Sequence, residues 1–472
     1  MKYIAKGVWL DGHLIENYGF ECSETFLKIL PIEELKGNSD VISLDGFVYP
    51  AFIESHAHVK ELSNVLSYID GSSKTFEEIK EFIFKSTKPV YIFNVDFNTF
   101  QENNFRELFY YGKDVYMQSK DEHSVFVSKK FLEESHVNVD NLPKDSLGFF
   151  KNEFIGIFKD HSIEAVKHLK KVAFTKEHLN KIEEYFLSRG IVSITNFDFD
   201  VYGLLKDNPS RLRFLQGIAK DYLKDFIKEG IKTYDGDNNF KWGPLKIFLD
   251  GSLGSQTMAM IDDKPFKGLL LMDFEELEEI VRMANEHGIS VATHAIGSKA
   301  VHIALSVFNR VKYSGVLNRI EHLQFIDEGD LPLLKETPFI PSMQPLHAIS
   351  DEALYKKFMG NYRFAYAWKT AFSLKDFVIF GSDVPVEDAS IFKGLFASIN
   401  RPFLKEESIP LSVAISAYTE WTGFYNFLDK RGKIKEGYLS DFVVLKCPIK
   451  EDNLLTNEVM LTAKGGEIVW EK

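Results

Sequence analysis

The sequence predicts an α/β fold: a closed (β/α)8 barrel, a small β-sandwich domain built from both termini, and an insertion after the first barrel strand. Three observations carry this reading. The middle of the chain alternates helices with short, almost continuously apolar strands, the pattern of a parallel sheet covered by helices. Both ends of the chain read instead as short strands and turns. Residues 60–170 break the rhythm with strand-like segments of their own.

Taken in order, Asp11-Gly12 is a hairpin signal, and alternating segments follow it as far as Val41-Ile42-Ser43-Leu44. Phe52-Ile53-Glu54-Ser55-His56-Ala57-His58 then opens the barrel as an apolar run ending in two histidines. Within the insertion, Tyr91-Ile92-Phe93, Val115-Tyr116-Met117 and Val125-Phe126-Val127 read as strands. Residues 175–189 read as a helix stopped by Gly190, with the strand Ile191-Val192-Ser193-Ile194 next. Residues 274–287 repeat the arrangement: Phe274, Leu277, Val281 and Ala284 lie at helical spacing, Gly288 ends the helix, and 289–292 is the next strand. Further strands are expected at 245–249, 320–325, 339–343 and 378–380, and the chain length favours a closed barrel over an open sheet. At the C-terminus, Phe442-Val443-Val444-Leu445 is a strand, and two more flank a Gly465-Gly466 turn. The expected domains are therefore 1–49 plus 428–472 for the β-sandwich and 50–427 for the barrel, with the inserted subdomain at about 60–170.

Composition narrows the function. At 472 residues, 45% of them hydrophobic and 26% charged, the chain is of the soluble globular class with room for a large core. Its 42 phenylalanines point to aromatic packing or an aromatic pocket. The 56 basic and 69 acidic residues sum to −13, which disfavours nucleic acid as a partner. Cys22 and Cys447 are far apart and in no CxxC spacing, so neither a disulfide framework nor a thiolate zinc site is expected. The N-terminus reaches Asp11-Gly12 before a signal-peptide core forms, and no stretch approaches the roughly 20 apolar residues of a membrane span. A cytoplasmic protein without a membrane partner is the expectation.

His56 and His58 share one face of a strand, so two imidazoles can converge on one ion. In a barrel, catalytic groups sit at the C-terminal ends of strands. Polar residues at such positions are Lys246, His294, His322 and Asp383. Each alone has a plainer explanation: a hydrogen-bonded core histidine, an aspartate capping the next helix, a lysine facing solvent. Together, in one chain order, they favour a divalent-ion site. Nitrogen and carboxylate ligands without cysteine suit zinc, with manganese, iron, cobalt and nickel as alternatives.

The ordered set Pro50-Ala51-Phe52-Ile53-Glu54-Ser55-His56-Ala57-His58, Lys246 ahead of Asp250-Gly251-Ser252-Leu253-Gly254-Ser255, His294-Ala295-Ile296-Gly297, Arg319-Ile320-Glu321-His322 and Gly381-Ser382-Asp383-Val384-Pro385-Val386 resembles the amidohydrolase superfamily of TIM-barrel enzymes. The lysine ahead of Asp-Gly-Ser-Leu-Gly-Ser, together with Met343-Gln344-Pro345, resembles its amidohydrolase-3 or YtcJ-like branch of metal-dependent hydrolases. The resemblance runs from about residue 40 to about residue 446.

It implies a two-metal site. His56, His58 and Asp383 would hold one ion, His294 and His322 the other. Lys246, N-carboxylated by carbon dioxide, would bridge the two together with a water or hydroxide. Between Leu245 and Ile247, an ammonium at 246 is costly to desolvate, which favours the neutral amine that carboxylation requires. The implied reaction is hydrolysis of an amide-type C–N bond other than a peptide bond by the metal-bridging hydroxide, in an N-acyl deacylase or a cyclic amidase. Asp383 would move the proton. His123, in Asp121-Glu122-His123, matches the family's Asp-x-His element and would position a substrate carbonyl, a hydrogen-bonded structural histidine being the alternative. Gln344, His347 and Asp96 are further substrate-contact candidates. A small-molecule substrate and, from family habit, a homodimer are expected. Ser298 and Gln256 depart from the family pattern: Ser298 is expected to cap a helix starting at Lys299, and Gln256 removes a positive charge that could meet an anionic group. Competing readings are a mononuclear deaminase, which would not need Lys246, and a non-catalytic binding or regulatory barrel.

Overall fold

Eight parallel strands follow one another around the barrel in chain order: β1 (Phe52–Ala57), β2 (Ile191–Asn196), β3 (Arg213–Ala219), β4 (Phe240–Phe248), β5 (Val291–Ala295), β6 (Asn318–His322), β7 (Phe339–Met343) and β8 (Ile379–Phe380). The computed structural model describes residues 1–35, 40–135, 137–169, 174–311 and 315–472. The expected end of the insertion, at about residue 170, falls outside them. Every residue of β1, β2, β5, β6 and β7 is buried. That explains why these strands read as apolar runs rather than alternating ones.

β8 is only two residues long, so the closing seam lies beyond it. Ala57 bridges Val384, His58 N donates to Val384 O at 2.8 Å, and Asp383 N donates to His56 O at 2.9 Å. Barrel closure itself therefore sets Asp383 beside His56 and His58. β4 starts five residues ahead of the expected 245–249, because Gly243-Pro244 disguises its first half. Those two residues fall at a break in register between Gln216 and Ile218 of β3, where a proline is tolerated.

The helices outside follow their sequence signals. Asp273 caps Phe274–Glu286 by accepting from Glu276 N at 2.9 Å, and Gly288 follows with φ +77°. One expectation fails: the next helix begins at Ser298 itself, with Gly297 as N-cap. The Ser298 hydroxyl instead accepts from Ile261 N at 3.2 Å, tying the β5 exit to the segment after β4.

The terminal segments share one eight-stranded sheet, in which Phe442–Leu445 pairs with Val41–Pro50. Its first hairpin turns at Asp11 and Gly12, both at positive φ, as a two-residue turn requires. The insertion carries a separate six-stranded sheet, in spatial order Leu147–Phe150, Glu153–Lys159, Ser124–Val127, Val115–Ser119, Val90–Val95 and Ile69–Asp70. It packs on its own core, including Ile79, Ile92, Phe126 and Phe158. Among the described residues no helix is long and apolar enough to cross a membrane.

Candidate metal centre

The ends of β1, β4, β5 and β6 and the turn after β8 deliver His56, His58, Lys246, His294, His322 and Asp383 to one place at the C-terminal mouth of the barrel. His56 Nε2 lies 3.3 Å from Lys246 Nζ and 3.3 Å from Asp383 Oδ1, and His58 Nε2 lies 3.5 Å from the same oxygen. One ligand-type atom each from His56, His58 and Asp383 fall within 4.8 Å of one another. The His322 ring centre is 5.0 Å from that of His56 and 4.5 Å from that of His294. His322 and Asp383 both hold positive φ, 72° and 61°, a conformation disfavoured for these residues and concentrated at functional sites. A second triplet, His322, His347 and Asp383, is equally close-set.

Hydrogen bonds at the far side of each ring fix which nitrogen faces the centre. His56 Nδ1 donates to Glu321 Oε2 at 2.7 Å, His58 Nδ1 to Asp198 Oδ1 at 2.9 Å, and His322 Nδ1 to Gln344 Oε1 at 2.9 Å. An acceptor at Nδ1 turns Nε2 toward the centre, where it offers a lone pair whenever the ring is neutral. Glu321 is held in turn by Arg319, whose Nε donates at 2.7 Å and whose Nη2 also reaches the Ser55 carbonyl at 2.9 Å. His294 is turned the other way, Nε2 donating to Gly251 O at 3.2 Å. For His347 the logic reverses. Gln324 Nε2 donates to His347 Nδ1 at 3.0 Å, so the proton sits on Nε2, which is buried 3.8 Å from Asp383 Oδ2 with no hydrogen-bond partner among the described residues. The Gln344 amide nitrogen is likewise without one.

Burial dominates the electrostatics. It pulls Lys246 down to about 8 against the attraction of Glu321 and Asp383, and the ammonium nitrogen stands 4.5 Å from the Phe197 ring centre and 4.9 Å from that of Phe248. It pushes Asp383 up to about 6, opposed by His58 and Lys246. His56, His294 and His322 are held well below the usual imidazole range by burial and then by neighbouring positive charge. At His58 burial is outweighed by the Asp198 carboxylate, which raises it to about 9.

Two cavities, of about 700 Å³ and about 520 Å³, meet at this centre. Asp121, His123, His294, His322 and Asp383 line both. His123 reaches over from the insertion, its Nδ1 held at 2.6 Å by Asp160 Oδ1 and its ring centre 5.1 Å from that of His294. Gln344 and His347 stand beside the histidines. Asp96 also lines the larger cavity, but its carboxylate is engaged in its own turn, accepting from Asn98 N at 3.0 Å. The sequence reading passed over Glu321, Asp198, Asp160 and Gln324. Asp198 stands two residues past β2 and Asp160 directly after Glu153–Lys159, so the search for polar residues at strand ends could have found both.

The model of the amidohydrolase family named Amidohydro_3 matches residues 40–470. A Bacillus subtilis (strain 168) protein named "Putative amidohydrolase YtcJ" is 26% identical over 489 residues, covering 92% of this chain and 91% of its own. Crystal structures of uncharacterized metal-dependent hydrolases from Pyrococcus horikoshii OT3 and Pyrococcus furiosus superpose with TM-scores of 0.77 and 0.75 at 22% and 23% identity. They cover 96% and 94% of this chain and 99% and 98% of their own. The chain belongs to the amidohydrolase family.

Proposed function

We propose that the protein is a binuclear metal-dependent hydrolase of an amide-type C–N bond other than a peptide bond, acting as an N-acyl deacylase or cyclic amidase. The observation that carries this reading is that Lys246 Nζ and Asp383 Oδ1 each lie 3.3 Å from His56 Nε2 at the barrel mouth. The donor set fits divalent ions: it is nitrogen and carboxylate, buried, and oriented by hydrogen-bonded partners behind it. His56, His58 and Asp383 would hold one ion, His294 and His322 the other, and Lys246 in its N-carboxylated form would serve both. The proton that Asp198 stabilises on His58 would leave as an ion binds. When bound, two ions supply Lewis acidity and make water a nucleophile near neutral pH.

The remaining chemistry belongs to the chain. Lys246, depressed to about 8, presents far more of the neutral amine, the form that adds carbon dioxide, than an ordinary lysine does. Asp383, raised to about 6, can accept a proton and return it to the leaving nitrogen. His347 lines the larger cavity with an unoccupied Nε2–H donor, suited to a developing oxyanion, and His123 approaches from the insertion side. Phe197 and Phe248 keep bulk water from Lys246.

The test is a turnover screen of enzyme loaded with zinc or manganese in bicarbonate against N-acyl amino acids, N-acyl amines, dipeptides and cyclic ureides. Hydrolysis of an N-acyl or cyclic amide, lost in Asp383→Asn, is expected. Ammonia release from an amino-purine or amino-pyrimidine with a single bound ion would instead indicate a deaminase.

A further inference from the structure

We propose that the larger cavity recognises the α-carboxylate and apolar side chain of an N-acylated amino acid, with Lys159 as the residue that binds the carboxylate; this rests on the hydrolase reading above. The strand Glu153–Lys159 presents alternate residues to one face, and Ile155, Ile157 and Lys159 all line the cavity. Phe97, Phe105 and Phe149 extend the apolar wall beyond the isoleucines.

Lys159 is half-buried, and its nearest polar contact is Ser255 O at 3.4 Å. Among the described residues no carboxylate lies within 4.0 Å of its ammonium. The other two lysines on the cavity differ: Lys120 pairs with Glu387 at 3.1 Å, and Lys357 is exposed at the rim with its ammonium over the Phe358 ring. An ammonium drawn partly out of water without a counter-ion is costly, and a ligand carboxylate would supply that counter-ion. The neighbouring Asp121 is not in ion-pair contact with it: its carboxylate accepts from the Ser119 and Ser255 hydroxyls at 2.6 and 2.7 Å.

The order of the features along the strand selects the chemistry. Lys159 is at the reactive end, next in sequence to Asp160, which holds His123. The isoleucines and phenylalanines are at the far end. A negative charge close to the scissile bond with an apolar body beyond it describes an α-amino acid with a large apolar side chain. A fatty acyl chain or a ligand with a remote acid places charge and apolar surface the other way round.

Calorimetric titration of the metal-loaded enzyme tests this with N-methylsulfonyl-phenylalanine, whose sulfonamide resists hydrolysis, and with its neutral carboxamide. The wild type should hold the acid about 10- to 100-fold more tightly than the carboxamide, the value of a charged hydrogen bond. Lys159→Met should weaken the acid alone and erase the difference, while Lys159→Arg should retain it. Equal affinity of the wild type for both compounds, or equal weakening of both in Lys159→Met, would overturn the proposal. Turnover of N-acetylphenethylamine, which lacks a carboxylate, reports the hydrolase reading separately. Its hydrolysis alongside equal binding of acid and carboxamide sinks the Lys159 proposal alone. A preference for the acid with no amide hydrolysed sinks the hydrolase reading alone.

Discussion

The barrel mouth and the wall of the insertion border the same cavity and are built on opposite principles. At the mouth, His56, His58 and His322 are each held from behind by a polar side chain, and Glu321 behind His56 is itself held by Arg319. On the insertion wall, Ile155 and Ile157 belong to a separate apolar core and Phe97 packs against it from the turn after Val90–Val95. Directional hydrogen bonds fix atoms to the tolerance that ion binding and proton transfer need, whereas an apolar wall specifies only volume and can be re-cut residue by residue. Changes at the mouth should alter rate and metal content, and changes on the wall should alter which molecule is accepted.

The largest expected effect is that of Asp383→Asn, which keeps the shape and removes the proton acceptor. Hydrolysis should fall about 10²- to 10⁴-fold in steady-state assays, and a variant with near wild-type turnover would remove Asp383 from the chemistry. Next is Glu321→Gln, which touches no substrate. Competition with a chelating dye should show metal affinity weakened by about 10- to 100-fold, with the melting profile still cooperative. On the other side of the comparison, Ile157→Ala should raise KM for apolar substrates by roughly tenfold and leave metal content unchanged. Loss of metal in that variant would break the separation between the two regions.

The smallest effect is on stability. Asp351, which accepts from Tyr366 Oη at 2.7 Å, is raised by burial to about 7. Between the ordinary carboxylate range and about pH 7 the folded chain keeps a proton that the unfolded chain has released. Stability should therefore fall as pH rises through that window. Asp351→Asn should flatten the fall, by on the order of 1 kcal/mol given the partial exposure of the group, in denaturant titrations across the same window.

The same contrast separates what could be read in the sequence from what could not. His56, Lys246, His294, His322 and Asp383 were legible because each interrupts or ends an apolar run, and a parallel barrel has one place for such residues to go. Glu321 stands in one of the quoted motifs, but its service to His56 depends on two strands far apart in sequence. The two-residue β8 and the Gly243-Pro244 step inside β4 blurred strand bounds without moving the site. The cavity wall was out of reach: Ile155 and Ile157 look like any core residues until the insertion's sheet sets them on the cavity.

The central claim is that Lys246 completes a two-ion centre, and metal analysis of the purified protein tests it most directly. Protein produced with added zinc or manganese and bicarbonate should carry about two ions per chain, and Lys246→Ala should lose metal and hydrolysis together, with added short-chain carboxylic acids restoring part of both. Well under two ions in the wild type, or both ions and full hydrolysis retained in Lys246→Ala, would contradict the account.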